Sequence, residues 1–349
     1  MRHMDRLGGQ AIRRRVAGLA AVVVAAGSGA AQPETASVYG YDFVTIGDPG
    51  NRATTDAELS FLTQGLRLGA VSYEYRMATT EVTVGQWHEF VQAYAPIYDD
   101  RVQQGFLGFE FTGPQIYGTG SGAFIREGYS ENRAARVSWE YAARYCNWLH
   151  NGKVNEAWAF ENGAYDTSSF TQNSDGTWNH QAARNPDAKF WMPTIDEWVK
   201  AAHWDPEKND GEGGYWAYPT SSDSLSIGNL LPNDGGSRNA GDEPQFPLDV
   251  GSFTSITSPW GLLDMAGGEQ EMTESSTGGV LQGRSLMGSG YFDWAAGSLI
   301  SDDLLGNIDY VDVFQVGGGL RLVSAVPAPG SAVALSCIFT CTVGRRRQR

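Results

Sequence analysis

Apolar and polar residues alternate over 39–50 (YGYDFVTIGDPG) and stop at a Pro-Gly turn, the pattern of a strand with one buried face. The alternation returns over 71–81 (VSYEYRMATTE), so these two stretches are expected to pair. The period then changes. Thr83 with Gln86 three residues on forms a capping box, and Trp87, Phe90, Val91 and Tyr94 recur at i, i+3, i+4 and i+7, which predicts a helix with one apolar face. A second helix is predicted over 136–151, with Ser138 as N-cap and Ala142, Tyr145, Cys146 and Leu149 along one side. A third is announced by the Thr194/Glu197 capping box, with Trp198, Ala201 and Ala202 facing inward. Residues 161–165 and a polar insertion running to 188 read as surface loop, and beyond Asp205 the chain loosens into Gly-, Asn- and Asp-rich segments.

Both ends follow a different logic. Arg13, Arg14 and Arg15 precede an apolar run over 16–26, and Gly29, Ala30 and Ala31 supply small residues for cleavage before Gln32, so 1–31 is expected to be a secretory signal peptide. At the other end a Val-Pro-Ala-Pro-Gly turn leads into an apolar run over 331–343 and then four arginines among the last five residues. That run is shorter than the ~20 residues a membrane-spanning helix needs. Without these ends, 16 basic and 39 acidic side chains remain, a formal charge of −23. Such a surface repels nucleic acid and anionic lipid, and suits a calcium-rich exterior or basic partners. Forty-four glycines beside 11 Trp, 15 Tyr and 15 Phe point to an irregular, loop-rich fold pinned by large rings. Of three cysteines, Cys337 and Cys341 lie in the tail and only Cys146 in the body, so this is no disulfide scaffold.

The densest chemistry lies in 259–273, PWGLLDMAGGEQEMT, where Asp264, Glu269 and Glu271 share a short stretch with Gly261, Gly267 and Gly268. Glycines let the backbone turn so that carbonyls and carboxylates converge, an arrangement that suits calcium; a solvated acidic turn is the other reading of the same spacing.

Six phrases, taken in order, resemble the formylglycine-generating enzyme family, the sulfatase-modifying-factor domain. They are YRMATTEVTVGQWHEF, VSWEYAARYCNWLHNG, FWMPTIDEWVKAAHWDP, PWGLLDMAGGEQEMT, RSLMGSGY and GLRLV. The resemblance covers about 39–323 and implies one domain over 32–326. The implied fold is α+β, the family's variant of the C-type lectin-like fold, irregular, with short helices and small antiparallel sheets. It also implies a structural calcium ion held by the side chains of Asp264 and Glu271 and the carbonyls of Gly267 and Glu269. A second, looser site would use Asn229, Leu230, Asp242 and Pro244. The departures are Gly268, Gln270 and Met272, where the family has Asn, Trp and Trp. The tail over 327–349 resembles a PEP-CTERM sorting signal, which implies export, an exosortase-type sorting machinery as partner, transient membrane contact, and residence at the cell surface or in the extracellular matrix.

The enzymes of this family oxidise a sulfatase cysteine with copper and two thiols placed between the fifth and sixth phrases. Here that interval, 292–318, holds no cysteine. Cys337 and Cys341 follow the sixth phrase, the wrong order for such a pair, so copper is not expected. His88, His150, His180 and His203 have no metal-binding spacing, and Asp302, Asp303, Asp309 and Asp312 read as a solvated face. The expected function is therefore a non-catalytic surface binding or structural module, with extracellular polysaccharide or protein as ligand. The alternative is an oxidoreductase with an unrecognised cofactor site around Trp260, Arg284 and Arg321.

Overall fold

The first alternating stretch does form a strand. In the computed structural model, which describes residues 35–59, 65–102, 116–117, 122–125, 127–172, 174, 178–224, 249–266, 268–276, 284–288 and 318–327, strand β2 (Tyr41–Ile46) pairs on one side with β1 (Thr35–Val38) and on the other with β3 (Tyr75–Ala78). The leader expected over 1–31 lies outside the described residues, as does all but Pro327 of the tail. The β1–β2 turn places both Tyr39 (φ 54°) and Gly40 (φ 84°) in the left-handed region, the twist that a two-residue hairpin needs. Only the second half of the other alternating stretch is strand. Its first half is tied to the preceding turn instead, through Gly50 N–H to the Val71 carbonyl (2.8 Å) and Val71 N–H to Asn51 Oδ1 (3.1 Å).

Helix α1 (Val84–Val102) opens on the expected capping box: Thr83 N–H bonds Gln86 Oε1 at 2.9 Å, and Gln86 N–H bonds Thr83 Oγ1 at 3.3 Å. Pro96 has no N–H to give and crowds the preceding turn, and the backbone leaves helical geometry two residues on, at Tyr98. A hairpin of β4 (Ile116–Tyr117) and β5 (Phe124–Ile125) follows. Helix α2 (Trp139–His150) is buried from Trp139 through Leu149. Ser138 precedes it in extended geometry, but its side chain makes no capping bond, so the expected cap is positional only. Trp87 and Phe90 of α1 pack against Tyr145 and Trp148 of α2 with ring centroids 5.2–5.7 Å apart. Cys146 is fully buried in the same core, as a small hydrophobe would be.

The segment expected to be surface loop is a correction. It follows α3 (Ala157–Glu161), makes one 3₁₀ turn (Thr167–Ser169), and forms the β6 (Thr171–Gln172) and β7 (Trp178–Asn179) hairpin. Ala164, Tyr165 and Phe170 are buried along it. Asn147 of α2 holds it, donating to the Phe160 and Tyr165 carbonyls and accepting from Tyr165 N–H. Most of its polar residues do face solvent; the correction concerns its short elements and the few side chains buried among them.

Strand β8 (Phe190–Trp191) leads into α4 (Ile195–His203), whose Thr194/Glu197 capping box is complete. His203 is buried at its end. Its Nδ1–H donates to the Trp216 carbonyl at 3.0 Å, and Nε2 has no partner. Burial pushes this imidazole down to about 4. Between pH 6.5 and 4 the unfolded chain therefore binds a proton that the native chain refuses, and stability falls as the pH falls, by about 3 kcal/mol from this residue. A His203→Asn variant is expected to show a flatter decline of melting temperature across that window than the wild type.

Beyond α4 come β9 (Trp204–Asp205), a one-turn α5 (Lys208–Gly211) and β10 (Gly214–Tyr215). The β11 (Glu271–Ser276) and β12 (Arg284–Met287) hairpin slips register between Met272 and Ser276. Last, β13 (Val323–Ser324) inserts between β3 and β8, so the five-stranded antiparallel sheet runs β1-β2-β3-β13-β8. Among the described residues no helix is long and apolar enough to cross a membrane. The architecture is α+β, with short helices and small antiparallel sheets as expected.

Candidate cation site at the Asp264–Glu271 loop

The acidic glycine-rich loop runs between two anchors. On one side Leu263 N–H bonds the Thr79 carbonyl at 2.9 Å, just past β3, and Leu262 and Met265 are buried beneath. On the other, Met272 N–H bonds the Gly319 carbonyl at 2.9 Å, next to the final strand. Between them Asp264 adopts φ 53°, a conformation that Asp tolerates better than most residues, and its Oδ2 accepts the Gly251 N–H.

Glu271 and Arg321 form the centre. Both are buried, Arg321 completely. Arg321 bonds Glu271 Oε1 through Nε at 2.8 Å and a terminal nitrogen at 2.6 Å. Trp198 of α4 gives its indole N–H to Glu271 Oε2 at 2.7 Å. The remaining guanidinium donors reach the carbonyls of Ala78 (3.0 Å), Leu263 (2.9 Å) and Asp264 (3.0 Å). One side chain thus ties β3, the loop and β11 together.

Glu81 approaches from the segment between β3 and α1. Its Oε1 accepts the Glu269 N–H at 3.1 Å, while its Oε2 is buried with no partner. Burial, then the carboxylates of Asp264 and Glu271, hold the Glu81 proton well above the usual carboxylate range, against the pull of Arg321. Asp264 is also pushed up by burial, opposed by the Gly251 N–H and Arg321. The Glu269 carboxylate lies 4.0 Å from Arg136.

Gly268, at φ 63°, is required twice over. Its backbone is left-handed, and a Cβ there would lie 2.4 Å from Glu81 Oε1. The Glu81 carboxylate fills the space that a side chain at 268 would need in this chain. Gly268→Ala is expected to cost about 1–3 kcal/mol in chemical denaturation, and part of that loss should vanish in a Glu81→Ala background, where the clash is gone.

Of the expected calcium ligands, Asp264, Glu269 and Glu271 lie among the described residues, and Asp264 and Glu271 are close enough for their charges to interact. Gly267 lies outside the described residues, as do Asn229, Leu230, Asp242 and Pro244 of the second group, and Cys337 and Cys341. Glu81 and Trp198 enter from segments that no local spacing links to the loop; the cue for Glu81 was its place in the first matching phrase. Trp260, Arg284 and Arg321 have separate surroundings. Trp260 packs near Gly47, Arg284 sits 4.0 Å over the Trp139 ring with bonds to the Gln181 and Glu274 carbonyls, and Arg321 serves Glu271. The four histidines are dispersed, with bonds to the Ala123 carbonyl (His88), the Lys189 N–H (His150), Glu140 (His180) and the Trp216 carbonyl (His203).

Chemically the cluster offers oxygen donors only, with three carboxylates (Glu81, Asp264, Glu271) around one guanidinium. Such a set fits a hard cation rather than a soft one. Glu271 Oε1 already accepts twice from Arg321, whereas Oε2 accepts only from Trp198 and keeps a second lone pair. Among the described residues no group of three acidic, histidine or cysteine side chains is arranged to hold a metal ion by itself, so carbonyl oxygens would have to complete a site.

Residues 42–324 match the sulfatase-modifying factor enzyme 1-like domain family. No curated protein matches the chain. Among solved structures the chain is similar to CarF, at 20% identity over 82% of this chain and 99% of that one, with a TM-score of 0.48. It is also similar to PvdO from Pseudomonas aeruginosa (14% identity, 82% and 95%, TM-score 0.49) and to Treponema denticola variable protein 1 (18% identity, 84% and 99%, TM-score 0.46).

Proposed function

The chain belongs to the sulfatase-modifying factor enzyme 1-like family, and from that premise we propose that it is an exported member without formylglycine-generating chemistry, working as a calcium-braced binding or structural module at the cell surface or in the extracellular matrix. The observation that carries this reading is the absence of any cysteine over 292–318, where the family's enzymes place their thiol pair. Cys146 cannot substitute: it is fully buried, and burial pushes its thiol far above the range in which a thiolate forms. Calcium bound at the 264–271 loop would offset the surplus negative charge there and supply rigidity, with Asp264 and Glu271 giving side-chain oxygens and Gly267 and Glu269 carbonyls.

A formal charge of −23 between the two ends favours neutral polysaccharide or a basic protein surface as ligand, and disfavours nucleic acid. The arginine-ended tail supports sorting by an exosortase-type system after transient membrane contact.

Incubation of the purified protein with copper, oxygen and a sulfatase-derived cysteine peptide is expected to leave the thiol unconverted by mass spectrometry. Accumulation of the aldehyde would overturn the reading.

A further inference from the structure

Glu81 is held in place yet incompletely used. Its Oε1 is fixed by the Glu269 amide at 3.1 Å, so the carboxylate cannot turn away without losing that bond, and its Oε2 is buried with no donor. Arg321, the cation of the cluster, spends its donors on Glu271 and on the carbonyls of Ala78, Leu263 and Asp264. Residue 268 offers no side chain, and none would fit beside Glu81. A buried carboxylate oxygen facing an excess of negative charge lacks a positive partner, and an oxygen-only surrounding suits a divalent cation.

We propose that Glu81 is a ligand of the loop's cation, its Oε2 joining the Asp264 carboxylate in holding calcium; this rests on the calcium reading above. Glu81 then couples the cation to the segment that leads into α1, and the Glu269 amide sets the direction of its carboxylate. Without the cation, Glu81 Oε2 is buried beside two other carboxyls with no donor. With it, the ionised carboxylate becomes an attraction that ties the segment before α1 to the loop.

The test uses the full chain, titrated with calcium while thermal unfolding is followed, and with terbium, which takes the same oxygen ligands and is excited through nearby tryptophan such as Trp198. The wild type is expected to melt higher with calcium and to sensitise terbium. Glu81→Gln keeps the size and the Oε1 acceptor but removes the charge. It is expected to weaken binding by about tenfold or more, and to melt higher than the wild type in the absence of calcium, because an uncharged amide replaces an ionisable group whose burial is costly. A role in packing alone would not produce that pair of opposite effects. Calcium affinity within about twofold of wild type in Glu81→Gln, with binding lost in Asp264→Asn, would overturn the inference and leave the calcium reading standing. No calcium or terbium response in the wild type would remove both. If Glu81→Gln gives no folded protein, Glu81→Asp decides: wild-type affinity in that variant overturns the assignment, and a weakened one upholds it.

Discussion

Replacing Arg321 by alanine is expected to destabilise the fold by about 3–5 kcal/mol, the range seen when one partner of a buried ion pair is removed. The change deletes the guanidinium that pairs with Glu271 and leaves the Ala78, Leu263 and Asp264 carbonyls without their shared donor. It also leaves Glu81, Asp264 and Glu271 buried with no compensating charge. The sign of the pH dependence follows. Arg321 opposes the upward push on Glu81 and Asp264, so without it these two carboxyls hold their protons more tightly when folded, the native state binds more protons than the unfolded chain, and the deficit should shrink as the pH falls from 7 toward 5. Urea denaturation at both pH values measures it. A loss that stays the same at both would show that Arg321 acts through packing alone. Arg321→Lys should recover only part of the loss, since one ammonium cannot reproduce the forked contacts.

The second large effect is expected at Glu197. Its side chain is fully buried on α4, yet it serves four donors: the Thr194 N–H at 2.8 Å, the Tyr73 hydroxyl at 2.7 Å, Arg184 at 3.0 Å and the Trp191 indole at 3.2 Å. Arg184 in turn lies 4.3 Å over the Trp191 ring and reaches Glu274 at 3.3 Å. Glu197→Ala removes one half of the capping box, takes one of two carboxylates from Arg184, and leaves the buried Trp191 indole and the Thr194 N–H without their acceptor, with an expected cost of about 3–5 kcal/mol. Glu197→Gln retains one acceptor oxygen but turns an amide donor toward groups that are themselves donors, and should cost about 1–3 kcal/mol. Equal effects of the two substitutions in equilibrium unfolding would show that the charge matters less than the shape.

Glu197 also marks how far the sequence could be read. Its capping role was legible, because Thr194 and Glu197 are three residues apart and a capping box is a local object. The same residue's bonds to Tyr73 and Arg184 were not, because no spacing rule reaches across 124 residues. The strand over 41–46 and the apolar face of α1 were legible for the same local reason, as was the burial of Cys146 from its position on an apolar helix face. The region up to 188 was misread as surface because its apolar residues, Ala164, Tyr165 and Phe170, follow neither helix nor strand period. They are buried by irregular backbone that Asn147 satisfies.

The chain's own pattern determined the three longer helices, two of their caps, the opening strands, the acidic character of the body and, through the ordered phrases, the family. These are properties of neighbours in sequence, or of composition, and need no third dimension. Which charge meets Glu271, which carboxylate leans on the Gly268–Glu269 turn, and why position 268 must be glycine were decided only when the final strand slid between β3 and β8. That insertion buries Arg321 beneath the loop. Burial is what turns a guanidinium and three carboxylates, each unremarkable in water, into a coupled site whose interactions are strong because little water remains to screen them.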